Sequence, residues 1–150
     1  MGITAVAPSS GHLQGIAVRN GVVSSVNLGS ADFSVVEGLR VDCGFPTFSI
    51  GTGIVARGIV KGNTVGASVG TCNTGIVATG TVTGNYAVNS LTGIKIGQGS
   101  TVIGNTATHN TEFGIVADCP SNLTDNTAVN NGTNLVLNGD GCRSEDNLAP

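Results

Sequence analysis

The chain of 150 residues carries six Lys and Arg against nine Asp and Glu, a formal net charge of −3 with only 10% charged residues. This balance gives no electrostatic case for nucleic acid as a partner. No run of 18 or more apolar residues occurs, so no membrane partner is expected, and 24 Gly combined with a mean hydropathy of +0.25 separate the chain from a polar disordered polymer.

Residues 1–14, MGITAVAPSSGHLQ, lack a basic start and a long apolar stretch, so they do not read as a signal peptide. They fit a partial first rung or N-terminal edge, followed by one repeat domain over 15–150. The repeat is plainest in GIVARGIVKGN at 53–63 and GIVATGTVTGN at 75–85, which share eight of eleven letters. The second residue of each closing pair defines a bend column: Gly21, Leu39, Asn63, Asn85, Asn105, Asn126 and Asn147. The steps are 18, 24, 22, 20, 21 and 21, with a mean of (147−21)/6 = 21. A period near 21 with variable steps points to a solenoid.

The flanking columns identify the elements. Three residues before the bend stand Val18, Val36, Val60, Val82, Val102, Leu123 and Ser144, and two residues after it Val23, Val41, Val65, Ala87, Ala107, Ala128 and Ala149. Apolar positions on both sides of a small-plus-Asn pair predict two short strands joined at a bend, with the Asn column in the positive-φ backbone that Gly and Asn tolerate. A further strand precedes each later bend. Alternation places Ile54, Ile76, Ile94, Ile115 and Leu135 on one face, together with Ala56, Ala78, Ile96, Ala117 and Leu137. No helix-period stretch survives the Gly and Asn punctuation. The predicted fold is all-β, a single-stranded parallel β-helix of about seven rungs, roughly 34 Å long at about 4.8 Å per rung. Residues 43–52 and 66–74 are its long corners.

The repeats V-x-G-N-x-A and GI-x-V and the ending CRSEDNLAP resemble bacterial right-handed parallel β-helix proteins of the pectate-lyase-like superfamily, over residues 15–150. The resemblance implies the right hand and a secreted or cell-surface parent. It also implies polysaccharide as a partner class, with a uronate-containing glycan as substrate of a lyase, hydrolase or epimerase. Such chemistry needs an acid/base carboxylate pair or charge neutralisation beside a base, and here the acids are scattered. Asp125 and Asp146 replace the bend Gly and read as turn residues. Arg19, Glu37 and Lys61 read as a surface ion ladder. His12 and His109 have no partner column, and Phe45, Phe48 and Phe113 are expected to plug the core near corners. Outward Thr columns are too interrupted, by Arg40, Tyr86 and Ile103, for ice binding.

No cofactor or metal ligand set is evident. Cys43, Cys72, Cys119 and Cys142 show no zinc spacing. Cys119 and Cys142 sit seven and five residues before successive Asn bends, a spacing that allows adjacent rungs and a disulfide, but thiols are the expected state. One outward column departs from the polar pattern: Val55, Val77, Lys95, Val116 and Val136. Outward residues of an isolated rod should be polar, so this stripe is the expected interface of a self-associating structural or binding solenoid, with a homotrimer favoured. The runner-up is a fragment of the polysaccharide-active kind.

Overall fold

The computed structural model describes residues 2–4, 13–29, 31–44 and 51–150. His12, Phe45, Phe48 and most of the 43–52 corner lie outside the described residues. Every described strand pairing is parallel and no described residue is helical. The result is a right-handed β-solenoid of about six turns with a period near 21, within one turn of the sequence expectation.

Each full turn contributes to three faces. The first face stacks Ser25–Leu28, the opening halves of Thr52–Lys61 and Cys72–Thr83, then Ser90–Ile96, Phe113–Asp118 and Thr133–Asn138. The second stacks the opening halves of Ala17–Val23 and Ser34–Asp42, the closing halves of Thr52–Lys61 and Cys72–Thr83, then Thr101–Ile103, Asn122–Thr124 and Arg143–Glu145. The third stacks the ends of Ala17–Val23 and Ser34–Asp42 with Thr64–Gly66, Tyr86–Val88, Thr106–Thr108 and Thr127–Val129. On the N-terminal side, Gly2–Thr4 pairs with Ser25–Leu28 and Leu13–Gln14 with Ala31–Asp32.

Register explains the core. Val18, Val36, Val60, Val82, Val102, Leu123 and Ser144 pair successively across the second face. Of these, Val36, Val60, Val82, Val102 and Leu123 are fully buried. Ile54, Ile76, Ile94 and Ile115 make the equivalent buried column on the first face, and Val41, Val65, Ala87, Ala107 and Ala128 on the third. Each side chain thus meets a like side chain one rung away, and branched aliphatics pack well in such pleated columns. A rung alone could bury none of this surface.

Phe113 departs from the expected role as a core plug. It is 36% exposed, stacked in register with Thr92 and Thr133, because the interior beside it is already filled by the isoleucine column. All four cysteines are paired. Cys43 bonds to Cys72 and Cys119 to Cys142, which leaves no free thiol and corrects the expectation of reduced cysteines. The physical reason is proximity: in both pairs the coil brings the two Cα atoms within bridging range, at 5.4 and 4.9 Å.

Val102→Asp tests the column assignment. A carboxylate between Val82 and Leu123 would have no partner, so the variant should lose at least about 3 kcal/mol. Urea unfolding followed by circular dichroism measures this. A midpoint equal to that of the parent would place Val102 outside the core.

Candidate functional site

The bend column has a different physical role from the one its composition suggests. Positive φ falls one residue earlier, at Asn20, Gly38, Gly62, Gly84, Gly104, Asp125 and Asp146, with values from 50 to 65°. The left-handed residue reverses the chain and stays exposed, and the next residue then points inward. Asn63, Asn85, Asn105 and Asn126 are accordingly buried, at 2% exposure or less.

Their amides form a ladder along the axis. Asn63 Nδ2 donates to Asn85 Oδ1 at 2.9 Å, Asn85 Nδ2 to Asn105 Oδ1 at 2.9 Å, and Asn105 Nδ2 to Asn126 Oδ1 at 2.9 Å. Asn126 Nδ2 continues to Asn147 Oδ1 at 2.8 Å. Each Oδ1 also accepts the backbone N–H of the preceding Asn, and each Nδ2 donates backwards to the carbonyl of Val36, Val60, Val82 or Val102. The early members Gly21 and Leu39 carry no amide. Leu39 closes the ladder through its N–H, which donates to Asn63 Oδ1 at 3.0 Å.

Two further side-chain ladders hold the other corners, and the sequence reading missed both. Ser90 N–H donates to Asn110 Oδ1, Asn110 to Asn131 Oδ1 and Asn131 to Asn134 Oδ1. At the remaining corner Gly80 N–H donates to Ser100 Oγ, and Ser100 N–H to Ser121 Oγ. The signal was available, since Asn110 and Asn131, and Ser100 and Ser121, are each one period of 21 apart.

The outward column of the first face stacks in register as Val55, Val77, Lys95, Val116 and Val136, with Asn27 preceding Val55. Lys95 is exposed, Val55, Val77 and Val136 are half-buried, and Val116 is 9% exposed. The charged side chains mostly serve structure. Glu37 bridges Lys61 at 2.8 Å and Arg19 at 3.3 Å. These cations, Lys61 first, hold its carboxyl below the ordinary glutamate value. A depressed folded value means that the stabilisation is present above the usual glutamate range and fades as pH falls through the lowered one. Solvent exposure keeps it small.

Asp42 accepts from the Ser68 hydroxyl and from the N–H groups of Ser68 and Gly44. The Ser68 hydroxyl is the main cause of its lowered pKa. Asp118 accepts from Asn138 at 3.1 Å, Glu145 accepts from Arg143 at 2.9 Å, and Asp125 and Asp146 occupy the positive-φ bend. The exposed His109 lies 3.0 Å from the Thr108 hydroxyl. No group of three His, Cys, Asp or Glu able to hold a metal ion occurs among the described residues.

Asn105→Ala would leave the Asn85 amide donors and the Val82 carbonyl unsatisfied in the interior, at about 1–3 kcal/mol for each unmet group. A loss of at least about 3 kcal/mol is expected by urea unfolding, against roughly 0.5 kcal/mol or less for Thr83→Ala on the outer surface. Equal losses would deny the ladder its role. Comparison with protein-family models, with curated proteins and with solved structures gives no match for this chain.

Proposed function

We propose that the chain is a non-catalytic structural and binding solenoid that assembles with further copies of itself through the valine column of its first face. A parallel homotrimer is the favoured assembly, by analogy with the β-helix proteins the repeat resembles. The observation that carries this reading is the in-register stripe Val55, Val77, Val116 and Val136 on an outward position. Parallel copies align such a stripe with itself, and an apolar column interrupted once, at Lys95, is covered best by another of equal pitch. Lys95, midway along the column, is compatible with it because its four-carbon stem can lie along the valines while the ammonium reaches out to water.

The pectate-lyase-like affinity is supported by the period, the parallel register and the stacked corner asparagines. A secreted or cell-surface setting is supported by the pairing of all four cysteines, since reducing cytosol does not ordinarily sustain such bonds. Against a lyase or hydrolase stands the use of Glu37, Asp42, Asp118 and Glu145 as partners of neighbouring side chains.

Two measurements follow. The double variant Val77→Lys, Val116→Lys should keep the β circular-dichroism signal yet fall by light scattering to the monomer mass of 14.8 kDa, because three like charges on one face are tolerated in water and not in an interface. A monomeric parent, or an unchanged mass in the variant, would overturn self-association. Secreted protein unfolded in guanidinium should titrate with no thiol reagent until a reductant is added. Free thiols before reduction would remove the support for an oxidising compartment.

A further inference from the structure

The corner between the first and second faces is recessed on two consecutive rungs. There a single strand runs unbroken through the bend, in Thr52–Lys61 and again in Cys72–Thr83. The rung before turns at Phe33, and the rung after carries residues 97–100 between its strands. The recess is an open cleft of about 590 Å³, within the range of small-ligand sites. Its floor is backbone: Gly58 and Gly80 have φ of +139 and +121°, and a Cβ on either would collide with a carbonyl oxygen, of Ser34 and Gly58 respectively. Phe33 and Ile59 form apolar walls, Thr79 and Thr81 are exposed hydroxyl-bearing residues, and the lining includes one cation, Arg57, and one carboxylate, Asp32.

Phe33 is the residue that fold stability does not explain. Its φ is +56°, and among the described residues the other non-glycine residues with positive φ are Asn, Asp or His, the types that tolerate this region. Its ring is nevertheless 75% exposed. Backbone strain and solvent-exposed aromatic surface are both unfavourable, and neither is offset by burial in the core. Strain of this kind is held where a side chain is presented to a ligand.

We infer that this cleft binds an uncharged saccharide, with one sugar ring stacked by its C–H face on Phe33 and its hydroxyls met by Thr79, Thr81 and Arg57. A sugar ring offers one apolar face and a hydroxyl rim, which matches an aromatic wall beside hydroxyl and guanidinium groups. Arg57 and Asp32 contribute one charge of each sign to the lining, so the cleft offers a polyanion no net attraction and the ligand differs from the uronates of the resembled enzymes. The open ends admit a chain longer than one ring. The inference stands apart from assembly through the valine column.

The test uses the full chain on a printed array of neutral and acidic oligosaccharides, followed by calorimetric titration with the strongest neutral binder. Neutral glycans should bind, and Phe33→Gly should weaken them about tenfold or more, as loss of an aromatic stacking contact does. Glycine suits the left-handed backbone, so Phe33→Gly should melt no lower than the parent. Thr81→Ala, a change on the exposed surface, should also weaken binding while the fold is kept. Amide resonances of Gly58 and Gly80 should shift on titration. Binding confined to uronates, no binding to any neutral glycan, or affinity unchanged in both variants would overturn the inference.

Discussion

A coil that turns within two residues leaves backbone N–H and C=O groups inside the bend, where neither water nor a neighbouring strand reaches them. Everything else in this molecule depends on satisfying those groups. The buried asparagine amide does so because it has a donor pair and an acceptor: it takes the N–H of the preceding rung, bonds the next amide, and reaches back to a valine carbonyl. Among the described residues no buried side-chain polar atom lacks a partner. Unmet groups of this type would each cost about 1–3 kcal/mol, so the ladder fixes where every later rung must bend.

That fixed corner allows the rest of the turn to vary. Steps between bends run from 20 to 22 along Asn63, Asn85, Asn105 and Asn126, yet the valine and isoleucine columns keep their register. Length differences are taken up at the other corners, where loops such as 67–71 leave the strands. Among the described residues the largest fully buried side chains are Leu, Ile and Val, repeated at each level, so a change at one level is felt mainly by the levels on either side. The disulfides act in the same sense, since each ties a corner to one a single turn away.

Much of this was legible in the letters. Two-residue alternation distinguishes inward from outward positions in Thr52–Lys61 and Cys72–Thr83 without any structure, and the position of the bend is explicit in the Gly-Asn pairs. The role of the Asn was not legible, because both Gly and Asn tolerate positive φ, and composition alone does not say which of the two carries it. The Cys43–Cys72 bond was hidden for another reason. Its separation of 29 exceeds one period, since it spans the long 43–52 corner. Phe33 lies in the degenerate early rungs, where the repeat is too weak to mark an odd residue as out of place. The valine column was visible in sequence and keeps its register here, but register is a property of one chain, and association is a property of several.

The asparagine ladder also has a direction. In every amide-to-amide bond from Asn63 to Asn147 the N-terminal member donates and the C-terminal member accepts, so the amide dipoles add along the axis and polarise one another. Each rung consequently presents the same donor on one side and the same acceptor on the other. A segment of one period, such as 86–105, carries a matched pair of ends and no cysteine. Spliced in after Asn105, it would meet its neighbours through the amide contacts they already make, with inward and outward faces preserved. The length of the rod is therefore a modular quantity, adjustable by whole turns, whereas an insertion of half a turn at the same place would face an amide with a strand and break the coil.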